Sequence, residues 1–415
     1  MTVTTAPITT YLEPPTAVLE ELVHRFQPVF DRIAEGNVQR EQQRVFPYEQ
    51  VEWLKEAKFG TVRIPVSRGG FGASLHQTFW LLALLAEADA NVAHIWRNHL
   101  AFVEDRLNAV PSAGNDEWID RFLVGEFVGG GWTEANNGTL ATTKTTVRRN
   151  GDHWLVSGAK YYATGSLYAD WLDVLGRTDD GGFLTALVRA DQPGVALADD
   201  WRGFGQRTTA SGSAHYDNAR AEDDDVFPAV ERFVYQGHFY QTAMLSILTG
   251  ITRAVLRDGL TALRSRGRNY PQGLDPVPAQ DPQLLQVIGQ VSVQAFTAES
   301  ALQRSSRTLD ATSDAHAAGD LELRAQRLVE SEVATAQAQL AIITAALDAT
   351  TTVFDALGAS GTSEDVLLDR HWRNARTLAS HNPRVYKARI LGDWLVNGKD
   401  PVPNLAAPSR GGQGN

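Results

Sequence analysis

The chain has 415 residues, of which 43% are hydrophobic and 21% are charged, so it is an ordinary globular protein long enough for two or three domains of about 150 residues. Its net charge of −11 argues against sequence-independent binding to nucleic acid or to an anionic membrane. It contains no cysteine, which excludes disulfides, thiolate zinc sites, iron–sulfur clusters and cysteine nucleophiles.

No segment is predicted to be exported or to span a membrane. Residues Met1 to Thr16 contain no basic residue and no apolar run, unlike a secretory signal. The longest apolar stretch, Phe79 to Ala86, is far shorter than the ~20 residues of a membrane-spanning helix. We therefore expect a soluble, cytoplasmic protein.

Residues 1–125 are predicted to form a helical N-terminal domain. Apolar residues recur at three- and four-residue steps between Leu19 and Ile33, which is the period of an amphipathic helix. Pro47 is expected to open a second helix. Ser74 can cap the apolar helix that follows, which we expect to continue, with a turn, to Asn108.

Residues 126–228 are predicted to form a small all-β domain, because the hydrophobic period changes to two. The segments Arg149 to Asp152 and Asp179 to Gly182 are rich in Asn, Asp and Gly and indicate two hairpins. The predicted strands are Thr142–Arg149, His153–Ser157, Leu172–Arg177, Phe183–Arg189 and Ser213–Asp217.

Residues 229–400 return to the helical period and are predicted to form a bundle. One long helix is expected to end near Arg266, before a loop with four prolines. Residues 401–415 are rich in Pro and Gly and are assigned to a tail. The remaining predicted helical segments are Gln283–Ala318, Leu321–Leu357 and Ser363–Asn397, the last interrupted near Pro383.

Three short segments carry groups that could do chemistry. His94 and Asn98 are four residues apart and share one face of a predicted helix, although a lone histidine there is also typical of a protein core. The segment Gly129 to Gly138 is a glycine-rich turn without the strand–turn–helix context of a nucleotide-binding loop. Thr164 lies between Ala163 and Gly165, where small neighbours would let a flat ligand approach the backbone.

A basic segment runs from Arg370 to Arg389, with six Lys or Arg residues, two histidines and no acidic residue. Arginine side chains at this density suit a phosphate or a carboxylate. An ion-paired or solvated helix face is the alternative.

Taken in order, the loop from Arg63 to Ser74, the Trp132-Thr-Glu134 turn, the Ser157-Gly-Ala-Lys160 strand and the final Arg-rich helix resemble the acyl-CoA dehydrogenase superfamily. The segments 369–383 and 199–213 resemble its flavin-dependent monooxygenase branch, typified by dibenzothiophene monooxygenase. The resemblance implies a mainly α fold with a central β domain: an N-terminal helical domain, a middle β-barrel and a C-terminal four-helix bundle. It also implies a homotetramer, assembled as a dimer of dimers.

One absence distinguishes the two activities within this superfamily. A dehydrogenase removes an α-proton from an acyl thioester and needs a carboxylate base on the bundle. No Asp or Glu occurs between Glu231 and Asp258, or between Asp369 and Asp393, where the superfamily places that base. His381 stands in the second of these regions and can donate or accept a proton near neutral pH.

The resemblance implies the roles of individual residues. It implies that Thr164 contacts the flavin N5 region, that His381 stabilises the peroxide or protonates the leaving hydroxide, and that His94 and Asn98 face the substrate. It implies, as cofactor-binding residues, Trp132, Thr133, Asn136, Lys160, Thr164, Trp201, Arg268 (at the phosphate), Ser360 and His381. No metal site is predicted.

The expected function is that of a two-component monooxygenase. Reduced FMN, or FAD, would be delivered by a separate NAD(P)H:flavin reductase, and one oxygen atom would be transferred from O2 through a flavin C4a-hydroperoxide. The expected substrate is small, largely apolar, and either sulfur-containing or heteroaromatic, so S-oxidation and ring hydroxylation both stay open. An acyl-CoA dehydrogenase and a non-catalytic helical scaffold are the alternatives.

Overall fold

The computed structural model describes residues 17–135, 142–229 and 232–401. The protein is mainly helical with one central sheet, which confirms the predicted fold class. Residues 402–415 of the predicted tail and Asn136 lie outside the described residues, and the domain boundaries stay predictions.

The N-terminal helices pack through the apolar positions that the sequence pattern selects. On α1 the buried residues include Leu19, Phe26 and Ile33, at the three- and four-residue steps that were predicted. Ser74 forms a capping box with Gln77, which fixes where α4 begins. The helices are α1 Ala17–Ala34, α2 Asn37–Gln43, α3 Tyr48–Glu56, α4 Leu75–Ala88, α5 Ala90–Asn108 and α6 Ala113–Leu123.

The central strands form one eight-stranded sheet in the order β6-β7-β3-β2-β4-β5-β8, with β1 parallel to β4. Both predicted hairpins are confirmed, since β2 and β3 pair as antiparallel neighbours, as do β4 and β5. β5 also contacts β7, so the sheet is strongly curved. The strands are β1 Val128–Gly131, β2 Thr146–Asn150, β3 His153–Lys160, β4 Trp171–Arg177, β5 Phe183–Arg189, β6 Val195–Leu197, β7 Ala214–Ala221 and β8 Val226–Pro228.

The C-terminal helices pack around α7, which contacts α4 and α5 of the N-terminal part as well as α8 and α9. α9 begins and ends at the predicted residues. Within the described residues, one helical segment, Leu321–Thr362, passes a length-and-composition test for crossing a membrane, but half of its apolar window is buried, as in a core helix. The helices are α7 Gln236–Ser265, α8 Pro282–Ala317, α9 Leu321–Leu357, α10 Asp369–Ala379 and α11 Lys387–Asn397.

Candidate active site

His381 and Arg97 meet where α5, α7 and the loop after α10 come together. The Arg97 Nη1 atom lies 3.2 Å from His381 Nε2, and the guanidinium carbon lies 5.1 Å from the centre of the Tyr240 ring. A guanidinium can only donate, so His381 Nε2 is the acceptor and the proton of the neutral ring is on Nδ1.

The loop that carries His381 is held by two glutamines. Asn382 Nδ2 donates to Gln241 Oε1 of α7 at 2.5 Å, and Gln339 Nε2 of α9 donates to the Asn382 carbonyl at 3.1 Å. The His381 amide donates to the Leu378 carbonyl at the end of α10. These bonds fix the position of the ring between two bundle helices.

The His381 side chain is exposed in this chain and lies beside Arg97. Desolvation by neighbouring protein atoms, together with the Arg97 cation, lowers its pKa from 6.5 to about 3, in spite of a hydrogen bond with Asn382. The ring is therefore neutral at physiological pH.

His94 is buried one helical turn before Arg97. Its Nδ1 lies 3.0 Å from Gln206 Oε1, so Nδ1 donates and the lone pair is on Nε2, a buried atom without a hydrogen-bond partner among the described residues. Burial holds the pKa of His94 well below its usual range, and the charge of Arg97 acts in the same direction. His94 and His381 therefore share one electrostatic neighbourhood.

A chain of hydroxyl and amide groups runs next to this pair. Asn98 Nδ2 donates to the Thr164 carbonyl at 3.1 Å, and Thr164 Oγ1 lies 2.8 Å from Ser211 Oγ. Ser211 Oγ in turn lies 2.7 Å from Thr209 Oγ1, which donates to the Gln206 carbonyl. The predicted residues His94, Asn98 and Thr164 are thus connected through the loop that joins β6 to β7.

Trp132 follows β1 and is bonded to the sheet. Its Nε1 donates to Asp173 Oδ2 at 2.9 Å, and Arg232 Nη1 donates to the same oxygen at 2.6 Å. Asp173 is therefore ion-paired with Arg232, which also contacts Asp105. The Tyr240 phenol is affected by the charges of Asp173, Arg232 and Arg97. Burial together with Asp173 raises its pKa to about 12.

Lys160 supports the Trp132 turn from beneath. Its Nζ donates to Glu134 Oε1 at 3.0 Å and to the Trp132 carbonyl at 3.3 Å. Although burial opposes the charge of Glu134, hydrogen bonds from the Thr145 and Lys144 amides lower its pKa to about 2. Thr133 is exposed, and its carbonyl accepts from the Tyr161 amide.

Trp201 belongs to a cluster of aromatic rings at the end of β6. Its ring centre is 5.8 Å from that of Tyr162, and its Nε1 donates to the Gly205 carbonyl at 3.2 Å. Tyr162 is 54% exposed, so this cluster forms a surface rather than a core.

Arg268 and Ser360 lie at the opposite end of the bundle. Arg268 is exposed just beyond α7, and Ser360 lies in a turn beyond α9. Arg266 donates to the Ala356 carbonyl, which places both of these predicted cofactor-binding residues near the same helix ends. At 1.5 Å per residue, the α7 axis from Tyr240 to this end is about 37 Å long, so one chain does not bring these two residues to His381.

Comparison with known proteins agrees with this architecture. The chain matches the acyl-CoA dehydrogenase middle-domain family over residues 129–219 and the C-terminal-domain family over 243–384, together more than half of its length. The chain belongs to the acyl-CoA dehydrogenase superfamily.

Within this superfamily, the chain is similar to flavin-dependent monooxygenases. It is 28% identical to the probable FMNH2-dependent monooxygenase SfnC of Pseudomonas putida, covering 96% of this chain and 99% of the relative. It is 26% identical to dibenzothiophene monooxygenase of Mycolicibacterium goodii, with 95% and 96% covered. The structure of TdsC from Paenibacillus sp. A11-2 with FMN and indole aligns with a TM-score of 0.82 at 22% identity, covering 92% of this chain and 100% of that chain.

Among the described residues, three carboxylates in the interior of the bundle are ion-paired, so they are not free to act as bases. Asp258 illustrates this, since hydrogen bonds and charges from His371 and Arg370 hold its pKa far below the usual range, although burial opposes them. The pairs are Asp258 with Arg370 and His371, Glu299 with Arg253, and Glu332 with His238 and Lys387.

The basic helix α10 is an ion-paired face over most of its length. Arg370 pairs with Asp258, and Arg373 pairs with Glu41 and Asp369. These two arginines therefore hold helices together, which was the alternative interpretation of the segment.

Sequence reasoning missed four residues of this site: Arg97, Gln206, Ser211 and Tyr240. Arg97 could have been found, since it lies three residues after His94 on the same helical face. Gln206 and Ser211 belong to a loop that only the tertiary structure brings to α5.

Proposed function

We propose that the chain is a reduced-FMN-dependent monooxygenase that inserts one oxygen atom from O2 into a small sulfur-containing or heteroaromatic substrate. The observation that carries this proposal is His381, held 3.2 Å from Arg97 in the region where a dehydrogenase would need a carboxylate. The similarity to FMNH2-dependent and dibenzothiophene monooxygenases supports it.

The residues present fit a flavin. His94 Nε2 and Gln206 Nε2 are buried polar atoms without partners among the described residues, as expected where a polar ligand completes the hydrogen bonding. Thr164 and Trp132 border the same region and would hold the ring system, with Thr133 and Lys160 shaping the turn. Reduced FMN, when bound, supplies the activation of O2.

The chain's own groups then control protons and water. Neutral His381 keeps its ring proton on Nδ1 for hydrogen bonding, while Nε2 accepts from Arg97. Thr164 Oγ1 is hydrogen-bonded to Ser211 Oγ, and Asn98 donates to the Thr164 carbonyl. These fixed donors and acceptors favour one orientation of ligand and exclude loosely bound water.

We further propose that the enzyme works with a separate NAD(P)H:flavin reductase and as a homotetramer. The separation of Arg268 and Ser360 from His381 supports the assembly, because a second copy would have to supply the phosphate end of the site. Cytoplasmic location stays part of the proposal. FMN is favoured over FAD by the names of the relatives.

The experiment supplies FMN, NADH, a generic flavin reductase and ¹⁸O2, with dibenzothiophene, indole and benzenesulfinate as probes. We expect a product that contains one ¹⁸O atom for at least one probe. In His381→Ala, FMN affinity stays within about twofold while product per O2 consumed falls by about 10²-fold. His24→Ala, on the exposed face of α1, is the matched control and should behave as wild type.

Two results would contradict the proposal. One is wild-type oxygen consumption that ends entirely in hydrogen peroxide with every probe. The other is anaerobic bleaching of the bound oxidised flavin by an acyl-CoA, which is the reaction of a dehydrogenase.

A further inference from the structure

Arg97 is a cation in the proposed active site, and its hydrogen bond to His381 does not by itself require a charged side chain. Its side chain is half-buried on α5, between the His381 ring and the face of Tyr240. A neutral donor such as glutamine would serve equally well as the hydrogen-bond partner of His381 Nε2. Partly burying a fixed positive charge costs desolvation free energy, and a hydrogen bond to a neutral ring does not require that charge.

Within the described residues, no carboxylate forms an ion pair with Arg97. Other buried arginines nearby are paired: Arg232 with Asp105 and Asp173, and Arg63 with Glu104. Arg97 Nε is buried without a hydrogen-bond partner in this part of the chain. Burial lowers the pKa of Arg97, and only the Tyr240 phenol opposes that effect.

One further donor lies near this arginine. Gln206 Nε2 is buried without a hydrogen-bond partner among the described residues, and Gln206 Oε1 is bonded to His94, one helical turn before Arg97. The two acidic side chains that act on neighbouring Tyr240, Asp173 and Asp105, are both ion-paired with Arg232. The surroundings of Arg97 therefore keep a net positive charge, with the Tyr240 ring on one side.

We propose that Arg97 is a specificity-determining residue that binds an oxyanion group, such as a sulfinate or a carboxylate, on the organic substrate. The inference rests on the proposed monooxygenase function and narrows its substrate class. The substrate is then amphipathic: an apolar body lies against Tyr240, and its anionic group lies on Arg97. Arginine is suited to this role because its planar fork bonds two oxygens at once.

Two other roles make different demands on Arg97. A purely structural role as a cation stacked on Tyr240 would make its loss destabilising without changing ligand preference. A role in holding the flavin would make its loss weaken FMN binding. Both are separated from substrate binding by equilibrium measurements.

The test uses the FMN-loaded protein and a pair of probes of similar shape, benzenesulfinate and the neutral methyl phenyl sulfoxide. Isothermal titration calorimetry gives Kd for each, and flavin fluorescence gives Kd for FMN. We expect wild type to bind benzenesulfinate about tenfold more tightly than the sulfoxide, because a half-buried arginine would form a charge-assisted hydrogen bond with the sulfinate only.

The variants are Arg97→Gln, Arg97→Lys and, as a matched control on the exposed sheet surface, Arg148→Gln. Arg97→Gln should lose the tenfold preference while its FMN Kd and thermal midpoint stay near wild type, and Arg97→Lys should keep part of the preference because it keeps the charge. Arg148→Gln should bind both probes as wild type does.

Three results would overturn the inference: equal affinity of wild type for both probes, an undiminished preference in Arg97→Gln, or a parallel loss of FMN affinity in that variant. Oxygenation of neutral sulfides without anion preference would overturn this inference while leaving the monooxygenase function intact. Anion preference that depends on Arg97, together with no ¹⁸O incorporation, would support the binding site and contradict the monooxygenase.

Discussion

At the scale of single residues, the chemistry of this site depends on which nitrogen of each histidine carries a proton. His94 is buried and His381 is exposed, and the Arg97 cation beside both lowers the pKa of each ring. The sequence identified both histidines through their resemblance to the superfamily. It could not supply their tautomers, because these are set by Gln206 and Arg97, which no local pattern connects to them.

A third histidine, His99, makes a prediction about stability. Its Nδ1 accepts from the Val128 amide at 3.2 Å, and its Nε2 lies 3.3 Å from the Gly60 carbonyl, to which it donates. Both nitrogens are thus used by the neutral ring, and a second ring proton would face the Val128 N–H. Burial lowers the His99 pKa from 6.5 to about 3.

Stability should therefore fall as pH falls below about 6.5, because the unfolded His99 takes up a proton that the folded one refuses. Between pH 7 and pH 5 this one group contributes about 2 kcal/mol of lost unfolding free energy. Urea unfolding of His99→Asn should show a pH dependence weaker by that amount, and His24→Asn should not. An unchanged pH slope in His99→Asn would contradict the tautomer described.

At the scale of elements, the sequence predicted the helices best and the glycine-rich segment worst. The α9 bounds were correct because a long amphipathic period between polar caps is a local property. The segment after Phe127 was expected to be a turn, and that was wrong for its first three glycines, which lie in β1, a strand parallel to β4. Nothing local in Gly129 to Gly131 indicates a strand, since glycine is unfavourable there.

Tertiary contacts explain those glycines and give a second prediction. A Cβ on Gly130 would lie 2.2 Å from Asn98 Nδ2, so this strand can approach α5 only without a side chain. Gly130→Ala should displace Asn98, break its bond to the Thr164 carbonyl and cost about 1–3 kcal/mol of unfolding free energy.

Calorimetric melting of Gly130→Ala checks this cost, and a loss of product coupling should accompany it. Gly289→Ala is the control, because a Cβ there meets open space on α8 and alanine favours the helix. Gly130→Ala with wild-type stability and coupling would show that the close approach of β1 to α5 does not matter.

At the scale of the whole molecule, the predicted cofactor residues divide into two groups. Those near His381 are connected through α5, α7 and the β6–β7 loop, whereas Arg268 and Ser360 lie at the far ends of α7 and α9. Resemblance identified both groups but could not tell which belong to one chain, since that depends on the length and direction of α7.

Complementation between subunits tests whether two copies share a site. His381→Ala and Arg268→Glu should each lack coupled activity alone. Co-expressed in equal amounts, they should recover about a quarter of wild-type product formation, the statistical share of intact sites across a two-fold interface. Co-expression of two copies of the His381→Ala variant is the control and should recover no product formation. No recovery in the mixed sample would mean that each chain holds a complete site.

We propose that this chain holds reduced flavin so that its reaction with oxygen leads to substrate oxygenation rather than to immediate release of hydrogen peroxide. Stopped-flow mixing of anaerobically reduced, FMN-loaded protein with oxygen tests this when flavin reoxidation is compared with that of free reduced FMN. We expect a slow, multiphasic return to oxidised flavin that becomes faster in His381→Ala. A single-phase return at the rate of free FMN, with one hydrogen peroxide released per flavin, would contradict it.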